Sequence, residues 1–236
     1  MIPKKIHYCW FGRGEKPELA KKCIASWKKY LPEYEIKEWN ESNFDLDKYP
    51  YVREAYDNRK FAFVTDVVRL FALYHEGGVY MDTDVEVLKP LDILLQYDAV
   101  SGFESDTLIP TGLMASKEGM PIFKELLSEY DGLHFVKPDG TFDTTTNVIR
   151  ITNTLNKYGF VPNNKLQTVC GFTLLPKDYL CPKSTEDGKI RLTHNTLTIH
   201  HFASSWNPKW RKVIRNLILN IGGIRLKNFL KKTFRI

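Results

Sequence analysis

The 236-residue sequence has no run of about 18 apolar residues, so no helix in it is expected to span a membrane. Its four cysteines (Cys9, Cys23, Cys170, Cys181) form no CxxC pair and no Cys/His spacing, which excludes a structural zinc knot. Met1-Ile2-Pro3-Lys4-Lys5-Ile6-His7 holds no apolar core of a secretory signal, so the expectation is a cytoplasmic protein with reduced thiols. There is no internal repeat and no low-complexity stretch. Apolar residues make up 43% and charged residues 26%, which leaves no room for disorder, collagen or a disulfide scaffold.

Acidic residues are missing altogether from 207–236, which holds nine Lys and Arg. The net charge of +6 is therefore +9 in that tail and −3 in the remaining 206 residues. A slightly acidic body argues against nucleic-acid binding and asks what the tail touches. In the tail, Ile214, Leu217, Ile218 and Ile221 recur at helical spacing, as do Leu226, Phe229, Leu230 and Phe234 among lysines. Such a basic amphipathic segment suits an anionic membrane surface; the alternative is that its apolar stripes pack on the body. The expected organisation is one α/β domain over 1–206 and a basic amphipathic helical tail over 207–236.

The body opens with an alternating segment, Lys5–Trp10, that runs into the turn Phe11-Gly12-Arg13-Gly14. Glu18–Tyr30 has a helical period and Pro32 stops it, while Tyr34–Trp39 alternates like a half-buried strand. This β-α-β opening predicts parallel strands. Residues 60–76 form the strongest helix: Phe61, Val64, Val67, Val68, Leu70, Phe71 and Tyr74 cover more than one face, so it should be largely buried. Gly77-Gly78 ends it, and Val79-Tyr80-Met81 reads as a short buried strand running into Asp82-Thr83-Asp84. Beyond Pro90 the expected strands are Ala99–Phe103, Leu113–Ser116, Leu174–Pro176 and Leu197–Phe202, and the expected helices Pro121–Tyr130 and Asn147–Tyr158.

Two carboxylates spaced Asp-x-Asp at the end of a buried strand point to a hard divalent cation, which prefers carboxylate oxygens and shares its coordination with phosphates. The bare pattern is cheap: roughly one match is expected by chance in a chain this long, and Asp45-Leu46-Asp47 is one. That copy lies in a polar loop with no buried strand before it and reads as solvated acids. Asp82 and Asp84 stand instead at the carboxyl end of a strand, where open α/β sheets place their ligands. Asp66 and Arg69, three apart on the buried helix, either pair with each other or point at a polar substrate, because charges are costly to desolvate.

The run from Phe61 to Asp84, FAFVTDVVRLFALYHEGGVYMDTD, closely resembles the DxD sugar-binding region of family 32 glycosyltransferases, and Ile2–Gly12 resembles that family's first strand. The resemblance implies a GT-A-type fold, with a mixed, mostly parallel sheet flanked by helices. It implies a nucleotide-sugar donor, UDP-hexose first, a Mn2+ or Mg2+ cofactor, and transfer with retention to a glycan or lipid-linked acceptor in surface or capsular polysaccharide synthesis. It assigns Asp84 to the metal directly and Asp82 to the ribose or to the metal through water. Asp66 and Arg69 would meet hydroxyls of the transferred sugar, and Trp10 the nucleotide base. With no carboxylate nucleophile in evidence, same-face attack is expected, a diphosphate oxygen taking the acceptor proton.

In Ile199-His200-His201-Phe202-Ala203-Ser204-Ser205-Trp206 a neutral imidazole could complete the metal site. Adjacent strand residues face opposite ways, so only one histidine can serve; His201 is preferred over His200. Ser205 and Trp206 would close over the diphosphate. Thr144-Thr145-Thr146-Asn147 reads as an N-cap cluster or a sugar-binding loop. Glu104 and Asp106 are candidate acceptor-side acids. The competing classes are a haloacid-dehalogenase-type phosphatase, which would need an acidic cluster beyond Asp84 that is missing, and a non-catalytic membrane-surface or nucleic-acid binding protein. Docked through its tail, the enzyme would sit on the inner face of the plasma membrane.

Overall fold

A computed structural model describes residues 1–184 and 187–203. Ser205, Trp206 and the tail 207–236, with the expectations attached to them, lie outside the described residues.

The chain opens β1 (Lys5–Cys9), α1 (Glu18–Tyr30), β2 (Glu35–Trp39). It continues with α2 (Pro50–Asp57), α3 (Phe61–Glu76), β3 (Gly78–Met81), β4 (Val85–Val87), β5 (Ala99–Gly102) and β6 (Leu113–Ser116). Then follow α4 (Pro121–Ser128), α5 (Asn147–Asn156), β7 (Gln167–Val169), β8 (Phe172–Leu175), α6 (Lys177–Leu180) and β9 (Thr198–His200). Seven strands make one sheet in the order β2-β1-β3-β6-β5-β8-β7. β1 is parallel to β2 and β3, and β5 to β8, while β6 and β7 pair antiparallel with their neighbours. Five of the seven strands therefore run one way, giving a mixed, mostly parallel sheet flanked by helices. Strands β4 and β9 form a separate antiparallel pair.

The sheet separates two apolar layers. α2, α3, α4 and α5 cover one face through Val52, Val64, Val68, Leu126 and Leu155, and α1 covers the other through Trp27 against Ile6, Val79 and Met81. β3 feeds both layers, because successive side chains alternate: Val79 and Met81 go to the α1 side and Tyr80 to the α3 side. All four β3 residues are buried, as its position between two neighbours requires. Helices α4 and α5 end two residues earlier than their periodicity suggests. α2 and β7 were not expected: α2 is short and opens on Pro50, and β7 has only three residues. Among the described residues no helix is long and apolar enough to cross a membrane.

The α3-to-β3 turn is locked by a histidine that the sequence did not single out. His7 on β1 is fully buried; its Nε2 donates to the Gly77 carbonyl at 2.8 Å, and its Nδ1 accepts from Trp39 Nε1 at 3.0 Å. Both ring nitrogens are satisfied only while the ring is neutral. Burial depresses its pKa from 6.5 to about 4, outweighing the Gly77 carbonyl. The unfolded chain thus takes up a proton between pH 6.5 and 4 that the folded chain refuses, so stability should fall as pH drops through that window. The loss attributable to His7 amounts to at most about 3 kcal/mol. Urea unfolding of wild type and His7→Gln at several pH values checks this: the difference between their stabilities should be constant above pH 6.5 and shrink below it.

Candidate active site

Asp82 and Asp84 leave the carboxyl end of β3, beside the same end of β1 that carries Trp10. The Asp82 amide donates to the Gly112 carbonyl at 2.7 Å, which keeps the segment in register with the chain entering β6. The Asp82 Oδ1 atom accepts from the Tyr80 hydroxyl at 2.7 Å and lies 3.3 Å from Arg69 Nη2. Asp82 Oδ2 has no partner among the described residues and is available to a ligand.

Arg69 and Asp66 come from the middle of α3, 5% and 7% exposed. Of the two readings, the structure shows the ion pair, and it extends the pair to Asp82. Arg69 Nη2 stands 3.3 Å from Asp66 Oδ1 as well as from Asp82 Oδ1, Nη1 donates to the Thr111 carbonyl at 2.8 Å, and the guanidinium lies over the Tyr80 ring at 4.8 Å. One arginine thus ties the helix, the DxD segment and the loop before β6 together. The second Asp66 oxygen accepts from the Asn147 amide at 3.2 Å, and Asn147 Nδ2 donates to the Asp66 carbonyl at 2.6 Å. Burial pushes the Asp66 carboxyl up to about 6, Arg69 only partly offsetting it. The N-cap reading of the threonine cluster holds for position and not for bonding: Thr146 is the N-cap residue of α5 but makes no side-chain cap bond, and the first amide of α5 is met by Asp66 from another helix.

The histidine assignment is also corrected. β9 pairs with β4, directly after the DxD segment, with Val85 opposite His200. That register places His200 Nε2 3.3 Å from Asp84 Oδ1, whereas His201 points to the opposite face and meets Glu86 at 2.8 Å. Alternation along a strand explained why only one histidine could serve, but the partner strand's register decides which. Asp84 Oδ2 accepts from the Ala203 amide at 2.7 Å. Burial would raise the Asp84 pKa, but the His200 hydrogen bond and charge, with that amide, hold it at about 2. Burial likewise opposes a charged His200, and Asp84 outweighs it, pushing the imidazole well above its usual value.

One ligand atom each from Asp82, Asp84 and His200 lies within 4.8 Å of the others. Two carboxylates and an imidazole are a donor set for Mn2+ or Mg2+ with positions left over for phosphate oxygens, and the free Asp82 Oδ2 fits that use. Gly112 makes room for it: a Cβ there would stand 2.6 Å from His200 Cε1. Gly112→Ala should therefore push the imidazole off Asp84 and weaken Mn2+ binding more than tenfold, in line with the sensitivity of such sites to misplaced ligands. A Mn2+ titration followed by electron paramagnetic resonance, beside thermal unfolding without metal, measures it; unchanged affinity would remove His200 from the ligand set.

Trp10 is half-buried, donates from Nε1 to the Gly14 carbonyl at 2.6 Å and carries Lys16 5.5 Å over its ring. With Arg13, Glu38, Asn40 and Glu41 it lines a cavity of about 430 Å³. The cavity walls come from the loop after β1, the end of β2 and the loop after it, so a planar group could lie against Trp10. Neither Glu38 nor Glu41 was marked in the sequence, where both sit in ordinary polar stretches. The Asp45-Leu46-Asp47 copy is as bland as expected: Asp45 caps a short turn and Asp47 pairs with Arg53 at 2.7 Å. Asp106 pairs with Lys177 at the surface at 3.1 Å.

Residues 17–101 match a protein-family model described as a glycosyltransferase sugar-binding region containing a DXD motif. The chain is 32% identical over 133 residues to inositol phosphoceramide mannosyltransferase 3 of Schizosaccharomyces pombe, covering 53% of this chain and 36% of that protein. It is 29% identical over 143 residues to a mannosyl phosphorylinositol ceramide synthase of Saccharomyces cerevisiae, covering 58% of this chain and 37% of that protein. It thus spans little more than a third of the length of these curated relatives. Among solved structures it is similar to the PaToxG glycosyltransferase, with a TM-score of 0.46 and 21% identity over 54% of this chain and 58% of that one.

Proposed function

We propose, because residues 17–101 match a glycosyltransferase sugar-binding region containing a DXD motif, that this chain is a metal-dependent glycosyltransferase that moves a hexose from a nucleotide sugar to a hydroxyl of a glycan or lipid-linked acceptor. The observation that carries the reading is the convergence of Asp82, Asp84 and His200 next to the buried Arg69–Asp66 pair.

Asp82, Asp84 and His200 would hold Mn2+ or Mg2+, and when bound the ion neutralises charge on the departing diphosphate. Arg69 fixes Asp82 in place and, with Asp66, offers hydrogen-bonding groups to hydroxyls of the sugar. A sugar held this way has its anomeric carbon positioned before reaction, which converts an encounter into an oriented step. Trp10 and the cavity beside it would take the nucleoside. Retention by same-face attack belongs to this proposal and rests on the family resemblance. The names of the relatives make mannose the first hexose to test and a phosphoinositol lipid an acceptor class to set beside a capsular glycan. UDP-hexoses and a guanosine-linked mannose are the donors to compare. A membrane-bound acceptor would also give the basic tail a purpose on the cytoplasmic face.

The test is hydrolysis of a panel of nucleotide sugars by the full chain with Mn2+, paired with thermal shifts. One donor should be hydrolysed in a metal-dependent way, and its nucleoside diphosphate should raise the melting temperature only when Mn2+ is present. Hydrolysis of none, with stabilisation by inorganic phosphate alone, would overturn the reading.

A further inference from the structure

The carboxylate that the site leaves unused is Glu104. It follows β5, whose last residue pairs with Leu175 of β8, and it opens the loop that runs to Gly112. The two flanks of this loop are tied to each other, and its far end is tied to the site. The Glu104 amide donates to the Leu108 carbonyl at 2.8 Å and Ser101 Oγ to the Leu113 carbonyl at 2.7 Å. The Thr111 carbonyl accepts from Arg69, and the Gly112 carbonyl from the Asp82 amide. Glu104 is thus positioned by backbone and not by its own side chain.

That side chain is half-buried, yet among the described residues it has no hydrogen bond and no ion pair. Its carboxyl is close enough to feel the charges of His200 and Asp82, and burial, the larger influence, raises its pKa. It is not one of the three clustered metal-ligating groups. Its neighbour Asp106 is exposed and already paired with Lys177. A half-withdrawn carboxylate without a partner is costly unless something donates to it. A second cation here would be repelled by one held at Asp82, Asp84 and His200. A neutral O–H donor satisfies the carboxylate without that conflict.

We propose that Glu104 belongs to the acceptor subsite and accepts a hydrogen bond from a hydroxyl of the incoming molecule, whether sugar, polyol or water. This assignment rests on the glycosyl-transfer reading above. It makes Glu104 the group that orients what arrives, while Asp66 and Arg69 orient what is transferred.

The experiment uses the nucleotide sugar that the full chain hydrolyses with Mn2+, with water as the incoming molecule, and compares Glu104→Ala and Glu104→Gln with wild type. Loss of a hydrogen bond to a charged group should lower kcat by about 10- to 100-fold in the alanine variant. The glutamine variant, which keeps an accepting oxygen, should lose less. KM for the donor, Mn2+ affinity and melting temperature should all stay near wild type. Wild-type turnover in Glu104→Ala would overturn the proposal. So would a kcat loss that tracks Mn2+ affinity, which would make Glu104 a metal ligand, or one that tracks melting temperature, which would make it structural. If wild type hydrolyses no nucleotide sugar, the glycosyl-transfer reading itself has failed and this assignment falls with it.

Discussion

Asp84→Asn is expected to reduce metal-dependent donor turnover by about a thousandfold or more, equivalent to roughly 4 kcal/mol of transition-state stabilisation. The carboxamide is nearly isosteric, so the bond from the Ala203 amide can persist at the remaining carbonyl oxygen. What disappears is the negative charge that a hard cation requires and that keeps His200 protonated in the absence of metal. Without Asp84 the imidazole can shed its proton, so the buried site is not left with a stranded charge and the fold should survive. The measurements are donor hydrolysis against Mn2+ concentration and a thermal melt. Near wild-type turnover at saturating Mn2+ would remove Asp84 from the metal site. A collapse of the melting temperature would show that the Asp84–His200 contact serves mainly to hold β4 to β9.

Arg69→Ala should have the second large effect, and it should act on stability and turnover together. The guanidinium is almost fully buried, sits between Asp66 and Asp82 and satisfies the Thr111 carbonyl. Removing one member of a buried ion network leaves the others uncompensated, at a cost of about 3–5 kcal/mol. Asp66, already pushed to about 6, should respond by taking up a proton near neutral pH. On the proposed reading turnover should fall more than nucleoside diphosphate affinity, because the arginine is assigned to the sugar and does not line the Trp10 cavity. Arg69→Lys separates the two roles: it keeps the charge between the carboxylates but has one nitrogen and cannot also hold the Thr111 carbonyl as Nη1 does, so stability should recover more than kcat. Equal losses of turnover and nucleotide affinity in the lysine variant would argue against a sugar contact.

Those expectations draw on both levels of description, and the line between them can be placed residue by residue. α1 and α3 were legible because each is long enough for its periodicity to stand out, and α3 ends on Gly77, whose φ of 63° suits glycine. β3 was legible from its apolar run between Gly77-Gly78 and two acids. α2, β7 and the antiparallel direction of β6 were not, since short elements carry little periodicity and strand direction follows from the path of the whole chain.

What the amino-acid order determined by itself is the chemistry that is local in the chain: a buried helix bearing Asp66 and Arg69, a glycine stop, a buried strand, and Asp82 and Asp84 at its end. Those residues are close in sequence, so helix and strand periods place them with no other information. Tertiary structure decided everything that depends on pairing distant segments. The register of β9 against β4 brought His200 and not His201 to Asp84. The placing of the α5 N-terminus against α3 gave Asp66 the Asn147 amide. The return of the chain into β6 put Thr111 and Gly112 against Arg69, Asp82 and His200. A one-residue slip in a strand turns each side chain to the other face, and nothing in the local sequence of two adjacent histidines says which register the partner strand will impose.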